Sequence, residues 1–287
     1  MSGNTTRRIW VTGAGGLIGN ALVRQLRGFP QLSPVIGLTR EECDLTQPES
    51  IRERYLRDAP DILIHCAAIS RPTDCDQDPA LARLVNVEAT RHLVELHRDR
   101  PFVFLSTDVV FDGSKGNYRE DAPLCPLSLY GETKALGEAI VARNPASLIV
   151  RTSLNGGRSP TGDRGFNEQM ELAWQAGQSL KLFTDEFRTP IAADVTASAI
   201  IELLVRDCRG VVHIAGGERM SRWELGRLLA ERRPDLSPKL EAGSLRDYSG
   251  PPRSPDCCLN IDHANGILSQ PLPRFSDWLR ERPLSEF

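Results

Sequence analysis

Residues 11–19 read Val-Thr-Gly-Ala-Gly-Gly-Leu-Ile-Gly, and this stretch decides the fold. An apolar run, Arg8–Thr12, precedes the glycines and an amphipathic run, Leu17–Arg27, follows them, which predicts a strand, a turn and a helix. Such a turn lets a pyrophosphate approach the backbone and the amides at the start of the helix. The residues predicted to bind a dinucleotide here are Gly13, Gly15, Gly16, Leu17, Ile18 and Gly19.

The same alternation of apolar and amphipathic runs continues to Arg151. Further strands are predicted at Pro34–Leu38, Asp61–Cys66, Phe102–Thr107 and Ser147–Arg151, and further helices at Pro48–Leu56, Pro79–Arg98 and Leu129–Arg143. Continuous apolar runs such as Ile62-Leu63-Ile64 are typical of strands that are covered on both faces. The sequence therefore predicts an α/β fold with a doubly wound parallel sheet, the Rossmann fold.

The pattern becomes looser after Arg151. Helices are predicted at Phe166–Ala176, Val195–Arg206 and Ser221–Arg232, strands at Leu180–Phe183 and Gly210–Ile214, and an amphipathic run at Phe275–Leu279. Residues 155–165 and 235–255 are rich in turn-forming residues and are predicted to be loops. We therefore divide the chain into a nucleotide-binding domain, residues 1–151, and a smaller C-terminal part, residues 152–287, that does not fold independently.

Composition excludes several classes of function. The chain has 287 residues and a formal net charge of -3, which gives no electrostatic reason to bind nucleic acid or a membrane surface. No apolar run approaches the roughly 20 residues of a membrane helix, and the polar N-terminus lacks the core of a signal peptide. The seven cysteines and five histidines show no metal-ligand spacing. We expect a cytoplasmic protein with reduced thiols and no metal.

The end of the second predicted strand bears on cofactor choice. An acidic residue there would bind a free ribose 2′-hydroxyl, but the chain has Arg40, which could bind a 2′-phosphate. This favours NADP(H) over NAD(H), although Arg40 could instead be a solvent-exposed side chain and Glu41 could reach the ribose. Asp44 and Leu45 could contact the adenine edge, and Asp44 could equally be a helix cap or a turn residue.

A second group of residues carries acid–base chemistry. Tyr130 and Lys134 stand four residues apart on a predicted helix and therefore share one face. An ammonium near a phenol favours the phenolate, which lowers the pKa of the tyrosine and makes it a usable proton donor or acceptor. Thr107 ends the fourth predicted strand, at the edge where open parallel sheets bind ligands. These three residues are the predicted catalytic group.

Together these motifs resemble the extended short-chain dehydrogenases/reductases. The resemblance rests on the glycine turn, Cys66-Ala67-Ala68, Ser106-Thr107-Asp108 and the Tyr130–Lys134 segment. Within that group the chain is similar to the dTDP-4-dehydrorhamnose reductase family, and the closer matches are residues 106–113, 126–138, 151–153 and 212–216. The family implies NAD(P)H-dependent reduction of a nucleotide-linked 4-keto-6-deoxysugar.

The resemblance also implies roles for individual residues. Tyr130 would protonate the alkoxide formed at the sugar C4, and Lys134 would hold the nicotinamide ribose. Cys66, Ala67 and Ala68 would line the cofactor. Asn86 could support an active-site water or backbone, or it could be a helix-surface amide. The residues implied for substrate binding are Thr107, Asp108, Val109, Tyr130 and Arg188.

Some positions depart from the pattern of relatives. Related dehydratases carry a second acid where this chain has Val109, which disfavours dehydration. The related reductases have aromatic residues at the positions where this chain has Val109 and Leu154. These two aliphatic residues would give this chain a sugar pocket of different shape. Arg188 would bind the nucleotide diphosphate, or it could form a structural ion pair with Asp185 or Glu186.

Two other functions and one assembly stay open. A nucleotide-sugar epimerase would need a further acid such as Cys125, which stands in a proline-rich segment. A regulatory subunit could bind NADP and a partner enzyme without turnover, although Thr107, Tyr130 and Lys134 are all present. The expected partner is a nucleotide-sugar substrate, and a homodimer is left open.

Overall fold

The computed structural model describes residues 6–283. Its strands are β1 (Ile9–Thr12), β2 (Val35–Leu38), β3 (Ile62–His65), β4 (Phe102–Thr107), β5 (Ser147–Thr152), β6 (Asn155–Gly156), β7 (Ser179–Phe183), β8 (Phe187–Arg188), β9 (Ile191–Ala192), β10 (Gly210–Ile214), β11 (Met220–Ser221) and β12 (Lys239–Gly243). Its helices are α1 (Leu17–Leu26), α2 (Pro48–Asp58), α3 (Pro72–Gln77), α4 (Pro79–Arg83), α5 (Ala89–Leu96), α6 (Leu129–Val141), α7 (Phe166–Gln175), α8 (Ala193–Val205), α9 (Arg222–Arg232), α10 (Asp262–Ile267) and α11 (Phe275–Arg280).

The central sheet of the described residues has six strands in the order β2-β1-β3-β4-β5-β10, and all neighbouring strands run parallel. The chain passes from β1 to β2 on one side and then to β3 on the other side, so a topological switch point lies between β1 and β3. Ligands of open α/β sheets bind at the carboxyl ends of the strands beside such a point. The predicted Rossmann-type sheet is therefore confirmed, and the loops after β1 and β3 lie at its ligand-binding edge.

Neighbouring side chains of β1 enter two different cores. Ile9 and Val11 pack with α1 and α8 on one face of the sheet, whereas Trp10 packs with α2, α5 and α6 on the other face. Successive residues of a strand point to opposite faces, and all three of these side chains are fully buried. Helices on both faces explain why the strands are continuously apolar.

The central sheet crosses the predicted boundary at residue 151. The edge strand β10 pairs with β5, and α8 packs on α1, so the C-terminal part supplies elements of the Rossmann fold itself. Helices α7, α9 and α11 enclose a smaller core beyond the sheet. Its buried residues are Phe166, Met170, Trp174, Leu182, Met220, Leu225, Leu229, Phe275 and Leu279.

Three segments differ from their predicted secondary structure. Residues 235–255 contain β12, which pairs in parallel with β7, and residues 155–165 begin with β6, which pairs with β9. Because β12 is largely exposed, its sequence lacks the apolar alternation that would have revealed it. The helix predicted at Pro79–Arg98 is interrupted by a π-helical turn at Leu84–Glu88. Such turns often occur at functional sites.

Among residues 6–283, no helix combines the length and the apolar character needed to cross a bilayer.

Candidate active site

Close backbone contacts hold the glycine turn at the switch point. Gly13 has a φ of +70°, and a Cβ atom there would lie 2.7 Å from the backbone nitrogen of Ala67. A Cβ atom on Gly19 would overlap the carbonyl of Gly13, so helix α1 begins directly against the turn. The turn after β1 and the segment Cys66-Ala67-Ala68 after β3 therefore meet. Only glycine fits at Gly13, where φ is positive and the neighbouring backbone is this close.

The other predicted residues of the turn differ in their exposure. Gly15, Gly16 and Ile18 are partly exposed at this edge of the sheet, as are all three residues after β3. Leu17 is buried in the core between α1 and the sheet. The side chain of Leu17 therefore packs in the core, and only its backbone remains for contact with a cofactor.

The residues predicted for the adenosine end lie after β2, next to the turn. The amide of Ala14 donates to the carbonyl of Leu38 over 3.1 Å, which joins the turn to the end of β2. Arg40 is exposed. Asp44 accepts hydrogen bonds at one oxygen from the amide (2.9 Å) and hydroxyl (2.8 Å) of Thr46, and these bonds lower its pKa. Asp44 is therefore a turn residue, the alternative that the sequence left open.

Leu45 follows in the same turn. It is partly buried and packs against the core formed by α2, α5 and α6.

The start of α6 brings Tyr130 to the end of β4. A Cβ atom on Gly131 would overlap the carbonyl of Val109, so the first turn of the helix touches the chain just after Thr107. Ser128 caps this helix by accepting from the amide of Gly131 over 3.2 Å. The threonine and tyrosine that the sequence predicts to act together are consequently neighbours at the carboxyl edge of the sheet.

Lys134 is almost completely enclosed. Its side chain is 2% exposed, and its Nζ atom lies 3.9 Å from the centre of the Phe104 ring. A Cβ atom on Gly137 would lie 2.6 Å from the same ring, so α6 rests directly on β4. Burial lowers the pKa of Lys134 to about 8, against the opposing effects of Cys66 and Glu138.

The sequence predicts a lowered pKa for Tyr130, and this is wrong for the structure as it stands. Burial raises the pKa of the phenol and the carboxylate of Asp108 raises it further, while only the hydroxyl of Thr107 opposes them. The physical reason is that a buried phenolate beside a carboxylate is poorly solvated and repelled. Tyr130 therefore holds its proton firmly.

Asp108 lies in the middle of a buried polar network. It accepts from the hydroxyls of Thr107 (3.2 Å) and Ser153 (2.6 Å). Burial raises its pKa, and the guanidinium of Arg188, with Nε 3.6 Å from a carboxylate oxygen, opposes that shift. Asp108 is 4% exposed, so its carboxylate contacts protein groups and little solvent. Its hydrogen bond from Thr107 orients that hydroxyl.

Arg188 is 5% exposed and has several protein partners. Besides Asp108, it pairs with Glu186 over 3.2 Å and donates to the carbonyls of Phe187 (2.7 Å) and Ser254 (3.0 Å). The pair with Glu186 is the structural ion pair that the sequence offered as an alternative. The ion pair with Asp108 is one that the sequence did not suggest.

The sequence analysis missed a second buried network behind the catalytic helix. Glu138 accepts from Nε (3.0 Å) and a terminal nitrogen (2.8 Å) of Arg151, and from the hydroxyl of Ser106 (2.5 Å). Tyr130, Lys134 and Glu138 recur every fourth residue, and this spacing was the available signal. The network fixes α6 to β4 and β5.

Asn86 lies in the π-helical turn and is 1% exposed. Its side chain bonds both the amide (2.8 Å) and the carbonyl (3.0 Å) of Ile69 and donates to the hydroxyl of Thr133 (3.0 Å). It therefore supports the backbone after β3 and ties that segment to α6, as the first of the two predicted alternatives stated.

In the described part of the chain, no group of three or more His, Cys, Asp or Glu side chains could hold a metal ion.

Several known proteins are similar to this chain over most of its length. A family model described as the RmlD substrate binding domain matches residues 7–281. The probable low-salt glycan biosynthesis reductase Agl14 of Haloferax volcanii is 31% identical over 93% of this chain and 94% of that protein. The dTDP-4-keto-6-deoxy-D-glucose reductase of Streptomyces niveus is 33% identical over 84% and 86% of the two chains. Methionine adenosyltransferase 2 subunit beta of Xenopus laevis is 28% identical over 79% and 72%.

Solved structures of similar proteins superpose on nearly the whole chain. A hypothetical dTDP-4-dehydrorhamnose reductase from Sulfolobus tokodaii superposes with a TM-score of 0.82 at 31% identity, covering 93% of this chain and 97% of that one. The dTDP-4-dehydrorhamnose reductase of Bacillus anthracis in complex with NADP has a TM-score of 0.86 at 22% identity, covering 96% and 98%, and supports the fold. The family match spans nearly the whole chain, so this protein belongs to the RmlD family, the dTDP-4-dehydrorhamnose reductase branch of the extended short-chain dehydrogenases/reductases.

Proposed function

We propose that the protein is an NAD(P)H-dependent reductase of a nucleotide-linked 4-keto-6-deoxysugar. The observation that carries the proposal is the meeting of two motifs at one edge of the sheet. The glycine turn after β1 and the catalytic group at the end of β4 lie on either side of the segment that follows β3. The family, whose named relatives include reductases of dTDP-linked sugars, supports the same activity.

The cofactor would lie along the glycine turn and the segment after β3. When bound, a reduced nicotinamide supplies a hydride for a carbonyl carbon. Gly13 and Gly19 keep the turn tight against helix α1 and the segment after β3, since a Cβ atom at either position would collide with backbone. Lys134 would hold the nicotinamide ribose. Because its pKa is about 8, Lys134 is charged in most molecules at neutral pH.

The chain's own residues would then handle the oxygen and the proton. The hydroxyl of Thr107 donates to Asp108 over 3.2 Å in this structure, and it would turn its proton to the sugar carbonyl oxygen when the substrate is bound. Tyr130 would give its proton to the alkoxide that forms at this oxygen. A raised phenol pKa suits this direction, because the tyrosine keeps its proton until a stronger base appears beside it.

The sugar would occupy the space between the two parts of the chain. Residues 1–151 would hold the cofactor and the chemistry, and residues 152–287 would supply most of the substrate contacts. Leu154 is partly buried against the smaller core, and Val109 is partly exposed after the catalytic threonine. Both side chains are aliphatic where the related reductases have aromatic residues, and Val109 supplies no second acid for a dehydratase.

The test is NADPH oxidation with a panel of nucleotide-linked 4-keto-6-deoxysugars, followed at the nicotinamide absorbance. Tyr130→Phe should lower turnover by roughly 10²–10⁴-fold and leave NADPH affinity almost unchanged, because only the proton donor is removed. Tyr55→Phe is the matched control. It removes a buried phenol that bonds His97 over 2.9 Å. His97 in turn contacts the carbonyl of Pro101, just before β4 and at the opposite edge of the sheet from Thr107, so turnover per folded molecule should persist.

Two results would contradict the proposal. Wild-type turnover in Tyr130→Phe would remove the tyrosine from the chemistry. Tight NADPH binding without oxidation by any member of the panel would favour the alternative of a regulatory subunit without turnover; one relative is named as a subunit of methionine adenosyltransferase.

We further propose that NADP(H) is preferred over NAD(H) through Arg40. Its exposed guanidinium follows β2 and is free to meet a 2′-phosphate. Arg40→Ala should weaken NADPH binding by about 1.5–3 kcal/mol, the value of a charge-assisted hydrogen bond, and leave NADH binding nearly unchanged. Equal losses for both cofactors would show that another residue selects between them.

We also propose a cytoplasmic homodimer. All seven cysteines are free thiols in the structure, which fits a reducing compartment. A cavity of about 300 Å³ lies between α5 and α6, and beside it Leu136 is 41% exposed. Leu136→Glu should convert a dimer to a monomer in light-scattering chromatography, whereas Leu172→Glu, at a leucine on α7 that is 47% exposed, should not. A wild-type monomer would exclude the assembly.

A further inference from the structure

Three arginines converge beside the catalytic end of β4. Strands β8 and β11 pair antiparallel, with Arg188 opposite Met220, and Arg222 begins α9 directly after them. Arg253 approaches from the segment after β12. We call Arg188, Arg222 and Arg253 the arginine cluster, and the carboxylates that face it are Glu186 and Asp108.

Two members of the arginine cluster are already occupied by protein. Arg253 forms a two-pronged pair with Glu186 at 2.9 and 3.0 Å. Arg188 is buried and divides its donors among Glu186, Asp108 and two backbone carbonyls. A guanidinium held by so many acceptors has little left to offer to a ligand.

Arg222 is different. Within residues 6–283, no carboxylate lies within ion-pair distance of its guanidinium and no acceptor bonds it, although its side chain is only partly exposed. Burial lowers its pKa, Glu186 and Asp108 raise it, and the other two arginines of the cluster lower it. Three cations thus face two carboxylates, and the surplus positive charge belongs to the one arginine that lacks a partner. A partly buried, unpaired cation is costly unless an anion joins it.

We propose that Arg222 binds the diphosphate of the nucleotide-linked substrate, and that Arg188 is a positioning residue that holds Asp108. The proposal rests on the proposed function. A planar guanidinium with free donors matches two phosphate oxygens at once. The cluster begins at Asp108, the residue after Thr107, so a phosphate bound at Arg222 leaves the sugar between that phosphate and the catalytic hydroxyls. Substrate charge and reacting carbonyl would then be recognised at opposite ends of one ring.

The experiment compares Arg222→Met with Arg219→Met, using dTDP, UDP and thymidine as calorimetric probes. Arg219 is a nearby arginine that is already satisfied, since it pairs with Asp256 over 2.8 Å and covers the ring of Phe187. Arg222→Met should weaken the preferred nucleoside diphosphate about 10- to 100-fold, the effect of losing a charge-assisted hydrogen bond. Thymidine and NADPH affinities should stay constant, and Arg219→Met should bind all four ligands as the wild type does.

Kinetics provide a second measurement. The KM for the sugar nucleotide should rise in Arg222→Met with little change in kcat, because a phosphate contact persists from the ground state to the transition state. Arg222→Lys should restore part of the affinity for the nucleoside diphosphate. The melting temperature and the NADPH affinity of each variant show whether that variant is folded.

Each outcome decides between the two proposals. If the wild type binds dTDP or UDP and Arg222→Met binds it equally well, the role of Arg222 is refuted and the reductase proposal stands. If folded Arg188→Met loses the diphosphate and Arg222→Met does not, the contact belongs to Arg188. If the wild type binds neither nucleotide and reduces no sugar of the panel, both the proposed function and the role of Arg222 are refuted.

Discussion

The buried pair of Glu138 and Arg151 should contribute heavily to stability. Both side chains are 5% exposed, and three hydrogen bonds of 2.8–3.2 Å join them. The carboxylate also accepts from Ser106, and the guanidinium donates to the carbonyl of Glu120. Replacing Glu138 with Gln keeps the shape of the side chain and removes the charge. It leaves the buried guanidinium of Arg151 without its counter-ion.

The expected loss follows from that burial. Removing one partner of a buried ion pair costs about 3–5 kcal/mol, because the remaining charge is desolvated and uncompensated. A chain of 287 residues has an unfolding entropy of about 0.6 kcal/mol/K, so the melting temperature should fall by about 5–8 °C.

Urea denaturation followed by circular dichroism measures the loss. The control is Glu231→Gln, which breaks the exposed pair with Arg227 (3.6 Å) on α9 and should cost no more than about 0.5 kcal/mol. The double variant Glu138→Leu with Arg151→Met should be more stable than the sum of its single variants predicts, since neither charge is then left alone. A loss below about 1 kcal/mol in Glu138→Gln, or strict additivity in the double variant, would refute the reasoning.

Three further predictions follow from the site. Gly19→Ala should weaken NADPH binding and lower stability, because the added methyl group overlaps the carbonyl of Gly13; cofactor titration and a thermal melt check both. The pKa of Lys134 lies near 8, below its unfolded value of 10.5, so the charged form is lost as the pH rises through about 8. NADPH affinity should therefore fall above that pH, and Lys134→Arg should abolish the decline in a binding titration. Arg188→Met should unfold about 3 kcal/mol more easily in urea, because Asp108 then lies buried without its cation; unchanged stability with a raised substrate KM would instead support a direct phosphate contact.

The sequence alone was sufficient to predict the strands of the central sheet and to place Tyr130 and Lys134 on one face of a helix. The apolar runs that became β1, β3 and β4 are buried on both faces, and complete burial leaves an unambiguous local pattern. Residues Tyr130 and Lys134 were found because a helix places every fourth residue on one face, which is a property of the backbone alone. The exposed strand β12 escaped prediction because its side chains carry no such pattern.

The charges of the site depended on the tertiary structure. Local spacing suggested that Lys134 would lower the pKa of Tyr130, but burial and the neighbouring Asp108 raise it. The partners of Arg188 and the absence of a partner for Arg222 within residues 6–283 arise where β4, β8 and β11 meet. A pKa or an ion pair depends on desolvation and on charges that are distant in sequence, and only the folded chain brings these together. Sequence therefore determined where the backbone turns and which residue types stand at its edges, whereas tertiary packing decided which of those charges are satisfied and which remain available to a ligand.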